Sequence, residues 1–372
     1  MKKVAIIGAG NIGPTVTAFL ANPETGAPYE ILITDIDPKK LETIEKWKSE
    51  VGAEIAARVA TRVLDAGDNS ALSATITGSY AVISALPYKY TLAVAQAALA
   101  ADVHYLDPTE DVATTKAVQQ LAAKANKAVI PQCGLAPGFI AIVGHDLFTR
   151  FDRVTDLRMR VGALPEFPAN ALGYNLTWST DGVIHEYCAP GEAIADGKLQ
   201  PTTSLEECET IAIDGVSYEA FNTSGGLGTL CETLAGRVRN MNYRTLRYPG
   251  HAAIMKVLLN DLRFRDEQYQ DELVKIFNRA LPRTEQDVVV IFVTATGERA
   301  GRFEQETYVN KVRPRRISGK RYTGIQITTA AGICAVLDLL SHGKLKDKGF
   351  VKQEDVKLSD FVDNRFGRYY LE

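Results

Sequence analysis

Met1-Lys-Lys-Val-Ala-Ile-Ile-Gly-Ala-Gly-Asn-Ile-Gly13 carries the reading that decides the fold. A short apolar run, Val4 to Ile7, ends directly on Gly8-x-Gly10-x-x-Gly13, and Val16, Phe19 and Leu20 beyond it are spaced for a helix. Strand, glycine turn and helix in that order make a phosphate cradle. Gly8 permits the tight turn, Gly10 admits a pyrophosphate to the backbone, and Gly13 lets helix and strand pack closely. The helix N-terminus then offers N–H groups to anionic oxygens. A second run, Tyr29-Glu-Ile-Leu-Ile-Thr34, ends on Asp35, twenty-two residues past Gly13. An acid at that place binds ribose hydroxyls. The competing account is a glycine-rich turn followed by a surface aspartate.

Asp35 also bears on the choice of dinucleotide. Its carboxylate repels a 2′-phosphate, and Ile36-Asp37-Pro38 adds a second acid and no arginine. Lys39 and Lys40 either reach round to that phosphate or fall in the first turn of the next helix, and the second placement is expected. The expectation is NAD, with NADP disfavoured.

With 372 residues the chain exceeds what one core normally serves, so two domains are expected. The 42 basic and 45 acidic residues are interspersed and sum to −3, which gives no electrostatic case for nucleic acid. No apolar run in the sequence reaches membrane-spanning length, so no membrane partner is expected. Cys133, Cys188, Cys208, Cys231 and Cys334 are odd in number and scattered, without a CxxC pair. That usage suits reduced thiols in the cytoplasm. The histidines form no HxxxH pair, and no metal is expected.

Strands and helices alternate through the first third. After Asp35 the pattern predicts a helix over 38–51, a strand over 60–64, a helix over 68–76, a strand over 81–85, and a helix over 90–101. A strand over 104–106, a helix over 113–125 and a strand over 128–130 follow. Six strands with helical crossovers make a Rossmann-type, doubly wound parallel sheet, whose ligands bind beyond the strands' carboxyl ends. Beyond a helix over 139–151 the texture changes to period-2 runs: 155–161, Asn175 to Trp178, 209–213, 242–248, and a hairpin of 287–296 with 302–312 around Gly297-Glu-Arg-Ala-Gly301. These predict an α+β domain with a mostly antiparallel sheet, with helices near 252–261 and 268–281. The run Thr328 to Leu340 is apolar almost all round, so it must be buried, and it is expected to return to the nucleotide domain with the tail 356–372 over it. The division is therefore 1–136, completed by 322–372, for dinucleotide binding, and 137–321 for substrate binding and oligomerisation.

Gly8 to Gly13, the loop Gly134-Leu-Ala-Pro-Gly138, the segment Thr223-Ser-Gly-Gly226, and Tyr243-Arg-Thr-Leu-Arg-Tyr-Pro-Gly-His251 together resemble the saccharopine dehydrogenase-like family, over essentially the whole chain. The first motif is generic; the last three in this order are specific. The resemblance implies hydride transfer at a carbon bearing nitrogen. Within the family it points to NAD-dependent oxidative deamination of the L-lysine ε-amine, giving the 6-semialdehyde and ammonia. Other members act on secondary amines, saccharopine or carboxynorspermidine. Members acting on saccharopine carry an acid where this chain has Ala136, a departure that leans toward the lysine reaction. The resemblance also implies a homodimer or higher homo-oligomer.

The roles that follow are these. Gly8, Gly10, Asn11, Ile12 and Gly13 hold the pyrophosphate, and Asp35 the ribose. Asp65 and Ala66 approach adenine. Ser84, Ala85 and Leu86 run beside the nicotinamide ribose, and Gly134, Leu135 and Pro137 lie where the ring meets substrate. An amino-acid carboxylate needs a cation, and Arg247 sits in the matching motif; an exposed strand arginine is the alternative. Arg244, three residues away, faces the opposite side of a regular strand. Thr223 and Ser224 add hydroxyl or N–H groups, and Tyr174, Asn175 and Trp178 line the pocket or simply a buried strand face. Hydride loss needs a neutral amine, hence a base. His251 and Asp107 are the two candidates, with His251 otherwise closing a helix start beside Gly250. Cys133 is a wall residue, since the reaction needs no covalent intermediate. Arg313, Arg315, Arg316, Lys320 and Arg321 form either a cluster for a substrate with several carboxylates or a solvated face. A catalytically silent NAD-binding regulator is the remaining reading.

Overall fold

The computed structural model describes residues 1–22, 25–26, 29–317 and 319–371. They form two compact units, 1–142 with 316–320 and 326–372, and 143–315 with 321–325.

The first unit is built on a parallel sheet of seven strands. β1 (Lys2–Ile7), β2 (Tyr29–Asp35), β3 (Val59–Val63), β4 (Ala81–Ser84), β5 (His104–Leu106) and β6 (Ala128–Ile130) are joined by Gly349–Phe350, which lies against β6. The order runs from Gly349–Phe350 through β6, β5, β4, β1 and β2 to β3. Val4, Ala5 and Ile6 of the central strand are fully buried, as a strand covered on both faces requires. The order reverses between β1 and β4, where Ile7 stands level with both Thr34 and Ser84. Gly8, Asp35 and Ala85 are therefore brought to one edge, at the topological switch point.

The helix Gly324–Ser341 spans 18 residues and is long and apolar enough to cross a membrane, longer than the sequence run suggested. Its window is 78% buried inside the protein, and it serves as a core helix. At Gly332 an added Cβ would lie 2.7 Å from the Cys133 carbonyl oxygen, so the close approach requires glycine. Within the first unit its buried Asp338 accepts hydrogen bonds from Tyr29 Oη at 2.9 Å, Asn364 Nδ2 at 2.8 Å and Arg365 Nε at 3.0 Å. These bonds tie the C-terminal segment to the sheet, with Phe361 and Tyr370 packed on Phe139. Arg365→Ala leaves Asp338 short of its cation, and a loss of about 2 kcal/mol is expected in urea denaturation. An unchanged midpoint would mean that the pair contributes nothing.

The second unit holds an eight-stranded sheet. Its strands are β7 (Arg153–Pro165), β8 (Gly191–Ala195), β9 (Lys198–Thr202), β10 (Glu209–Ile213), β11 (Val216–Asn222), β12 (Val238–Arg247), β13 (Asp287–Arg299) and β14 (Arg302–Val312). The main path is β10-β11-β12-β7-β13-β14, with β8 on β12 and β9 on β8. The β12–β7 pair is parallel and the others are antiparallel. Helices Thr180–Cys188, His251–Lys256 and Glu267–Ala280 build an apolar core with Tyr174, Leu176 and Phe221.

Two expectations are corrected. Asn175 to Trp178 is not a strand. Leu176 makes one isolated bridge to Arg283, while the Asn170 side chain binds the Tyr174 carbonyl at 2.8 Å and the Tyr174 N–H at 3.3 Å. Local side-chain bonds thus replace a ladder, and the alternating burial reflects docking on the helical core. The 287–312 hairpin runs on to pair Arg299 with Arg302, so its turn is Ala300-Gly301, both at positive φ. The helix Ala53–Ala57 and strands β8, β9 and β11 were also not foreseen.

Candidate functional sites in the two units

In the first unit the three glycines have separate reasons to be glycine. Gly8 has φ +112°, and an added Cβ would lie 2.7 Å from the Ala85 carbonyl oxygen. At Gly13 a Cβ would lie 1.9 Å from the Gly8 oxygen, which no side chain survives. At Gly10 it would meet nothing within 4 Å, so this position stands open at the surface. α1 (Gly13–Ala21) follows, with no side chain capping its N-terminus at Ile12. Asn11 is exposed and Ile12 half-buried beside it. Open backbone at Gly10 and an uncapped helix start fit a pyrophosphate.

Asp35 is 5% exposed and fixed from both sides. Its Oδ2 accepts the Ala9 N–H at 2.8 Å, its Oδ1 accepts the Asp37 N–H at 2.9 Å, and Lys40 Nζ lies 3.3 Å away. Burial pushes this carboxyl up, but the Asp37 and Ala9 N–H groups and the Lys40 charge outweigh it and hold it below its ordinary range. Asp65 is exposed and accepts the Gly67 N–H at 2.8 Å, whereas Ala66 is buried in the apolar core. Ala85 and Leu86 are half-buried at the end of β4. Gly134, Leu135 and Pro137 are buried, with Ala136 alone of that loop partly exposed.

Ser84 and Asp107 end neighbouring strands in the first unit, and each keeps a buried oxygen without a hydrogen-bond partner, as does Thr109. Buried polar groups are almost always bonded, so three such oxygens near one another make this strand end a candidate site, with the Tyr105 hydroxyl close to Ser84 and Asp107. Asp107 Oδ1 accepts the Thr109 N–H at 2.7 Å and the Gln132 N–H at 3.3 Å; Oδ2 makes no hydrogen bond of ordinary geometry, with the Tyr105 hydroxyl close by. Burial raises its carboxyl to about 6, against the pull of the nearby Tyr105 hydroxyl and those two N–H groups. Cys133 donates to the Ile130 carbonyl at 2.9 Å, and burial keeps its thiol protonated. That suits a wall residue.

In the second unit Arg247 ends β12 at 2% exposure. Its Nε donates to Tyr187 Oη at 2.7 Å and its Nη1 to the Leu246 carbonyl at 2.8 Å. The Tyr174 and Tyr187 rings lie 5.2 and 5.7 Å from the guanidinium carbon. No salt bridge of Arg247 with a described residue is seen, and the Glu186 charge also acts on it. A buried guanidinium without a paired acid is costly unless a ligand supplies one. Arg244 lies on the opposite face and is committed to Glu207 and Glu209, and Arg160 to Glu209. Thr223 Oγ1 meets Thr245 Oγ1 at 2.8 Å, and the Ser224 N–H donates to the Glu186 carbonyl at 3.2 Å, so both are engaged within the unit. Tyr174 joins Arg247, while Asn175 turns instead to Asn170, at 3.1 Å.

His251 is also in this cluster, but in another role from that expected. Its Nδ1 donates to the Leu172 carbonyl at 2.9 Å, so Nε2 accepts the Tyr187 hydroxyl at 3.0 Å. Burial and then the Arg247 charge lower it to about 3. With both nitrogens engaged and its basicity suppressed, it does not suit a general base at neutral pH; this corrects the expectation. Glu219 holds the helix start by accepting the Gly250 and Ala252 N–H groups. Tyr187 was missed altogether. Its signal was Ser179, whose side chain caps the helix Thr180–Cys188 through the Gly182 N–H at 3.2 Å. Among the described residues no three of His, Cys, Asp or Glu gather as a metal site.

Comparison with known proteins bears on both units. Residues 4–131 match the saccharopine dehydrogenase NADP binding domain, and 134–366 the saccharopine dehydrogenase C-terminal domain. The NADP(+)-dependent, L-glutamate-forming saccharopine dehydrogenase of Pyricularia oryzae is 24% identical over 250 residues, covering 62% of this chain and 55% of the relative. The match thus spans little more than half of that protein. The apo L-glutamate-forming saccharopine dehydrogenase of Saccharomyces cerevisiae superposes with a TM-score of 0.73 at 16% identity, over 100% of this chain and 96% of that one. At that identity the likeness speaks for the fold. With family domains matched across nearly its whole length, the chain belongs to the saccharopine dehydrogenase family.

Proposed function

We propose that the protein is a nicotinamide-dependent oxidoreductase acting on a C–N bond, and that its reaction is oxidative deamination of the L-lysine ε-amine. The observation that carries this reading is Arg247: a buried guanidinium with no ion-paired acid among the described residues, suited to one amino-acid carboxylate. When bound, the dinucleotide supplies the hydride acceptor; Gly8 to Gly13 and Asp35 would hold it. The ε-carbon loses hydride with its bonding pair and the nitrogen loses a proton. Water adds to the resulting iminium carbon, and ammonia departs from the 6-semialdehyde. Within the first unit Asp107, whose carboxyl burial raises to about 6, is the base proposed for the proton that the ε-ammonium must lose first.

The names of the matched domains favour a second reading, a secondary-amine substrate such as saccharopine. That substrate carries more carboxylates, while Arg160 and Arg244 are committed to Glu207 and Glu209, and Arg313 pairs with Glu166. The two readings separate in one assay of nicotinamide reduction with lysine, ornithine, saccharopine and carboxynorspermidine. Turnover of lysine with release of ammonia supports the first. Silence on lysine with turnover of saccharopine or carboxynorspermidine refutes it.

The same proposal takes NAD rather than NADP. A fixed, charged carboxylate at Asp35 opposes a 2′-phosphate, and like charges brought together cost several kcal/mol. Asp35→Ser is expected to lower the NAD:NADP ratio of kcat/KM about 100-fold. Equal use of the two dinucleotides by the wild type would overturn this.

A further inference from the structure

Arg247, Tyr187 and His251 form one directional chain of hydrogen bonds inside the second unit. Its direction is set at the far end. The Leu172 carbonyl can only accept, so His251 Nδ1 carries the hydrogen and Nε2 carries the lone pair. Tyr187 must then give its hydroxyl hydrogen to Nε2, at 3.0 Å, and its oxygen is left to accept from Arg247 Nε, at 2.7 Å. All three side chains are at most 2% exposed, so no bulk water competes for these bonds. Nη1 is turned to the Leu246 carbonyl but keeps a second hydrogen, and Nη2 makes no hydrogen bond to a described residue.

A carboxylate meets a guanidinium in parallel either along its side, on Nε and one Nη, or at its end, on the two Nη atoms. Tyr187 occupies Nε. We infer that Tyr187 is the positioning residue of this site: it holds Arg247 by Nε so that a ligand carboxylate is met end-on by the Nη atoms, with His251 fixing the direction of the Tyr187 hydroxyl. The inference rests on the reading of Arg247 as the carboxylate anchor. It also gives His251 a role that needs no protonation. His251 acts through Tyr187 and touches no reacting atom.

Tyr187→Phe tests it, since the ring remains and only the hydroxyl goes. In the unliganded protein the Arg247 Nε–H resonance, identified by its absence in Arg247→Met, is expected to exchange slowly with water and to lose that protection in Tyr187→Phe. This readout is independent of any substrate. In steady state, Tyr187→Phe is expected to raise KM for lysine about 10-fold with kcat within about twofold. The inhibition constant of 1,5-diaminopentane, which is lysine without its carboxylate, is expected to stay unchanged. His251→Leu should repeat the effect and His251→Gln, whose amide can accept from Tyr187 and donate to Leu172, should rescue it. The Leu and Gln pair keeps the test open if Tyr187→Phe does not fold. Retained Nε–H protection in Tyr187→Phe overturns the inference, as does equal weakening toward lysine and the diamine. If Arg247→Met itself leaves lysine and the diamine in their wild-type ratio, the anchor reading fails, whatever Tyr187 does.

Discussion

Arg247→Met is expected to lower kcat/KM for lysine by about 10²- to 10³-fold, or about 3 to 4 kcal/mol of lost binding. The size follows from burial. A guanidinium at 2% exposure would meet a ligand carboxylate out of water, where a charge-assisted pair is worth several times a surface one. Burial disfavours the cation, but Tyr187, Tyr174 and the Glu186 charge outweigh it, so the fold itself helps to hold Arg247. Methionine also removes the bonds to Tyr187 and the Leu246 carbonyl, and a loss of about 1 to 2 kcal/mol is expected in chemical denaturation. Arg247→Lys should be nearly as damaging as Met. An ammonium can be neither held at Nε by Tyr187 nor presented as a planar pair of donors. Carboxylate-free 1,5-diaminopentane provides the control: an equal loss of affinity for it would show that Arg247 shapes the fold and not the recognition.

How much of this was legible in sequence depends on the range of the interactions concerned. The cradle was readable because its constraints are local. Gly8, Gly10 and Gly13 answer to one turn of backbone, and Asp35 is placed by the strand before it and tied back to Ala9. Asp107 was readable as a position, since strand ends in a parallel sheet are candidates by topology, but its free oxygen and raised affinity depend on packing around it. The opposite facing of Arg244 and Arg247 follows from period-2 geometry alone, and it holds. The Arg247 cluster was not readable as a whole. Its bonds join residues 60, 64 and 79 positions apart, Arg247 to Tyr187, His251 to Tyr187 and His251 to Leu172. No local pattern encodes such pairings, and a motif containing a histidine invites a base where the fold has placed a buried acceptor for the Tyr187 hydroxyl. Asn175 to Trp178 failed for a related reason: alternation reports which side chains are buried, not whether a strand or a docked loop buries them.

Asp107→Asn should separate activity from stability most clearly. Folding raises this carboxyl from 3.8 to about 6, so the folded chain favours the protonated form. The stabilisation that this brings is complete below about pH 4 and is lost as pH rises through about 6. Above that the wild type carries a buried, under-bonded charge, which asparagine lacks while keeping an oxygen for the Thr109 and Gln132 N–H groups. A carboxyl raised that far makes its charged form costlier in the folded chain by roughly 2 to 3 kcal/mol. The variant is therefore expected to be more stable than wild type by that order at pH 8 and nearly equal to it at pH 4. Activity should move the other way. Wild-type kcat/KM for lysine is expected to rise with pH through about 6 as the carboxylate becomes free to take a proton, and Asp107→Asn should lose about 10²- to 10⁴-fold. Denaturation at the two pH values and one pH–rate profile decide the matter. A variant that is destabilised at pH 8 would mean that Asp107 holds the loop after β5 as a charged cap. A stabilised variant that keeps its rate would leave the orphaned oxygen real but the proton transfer elsewhere. Gain in stability together with loss of rate is the combination that only a strained, functional carboxylate gives, because the same missing hydrogen bond that makes the charge costly in the folded chain leaves its oxygen free for a substrate proton.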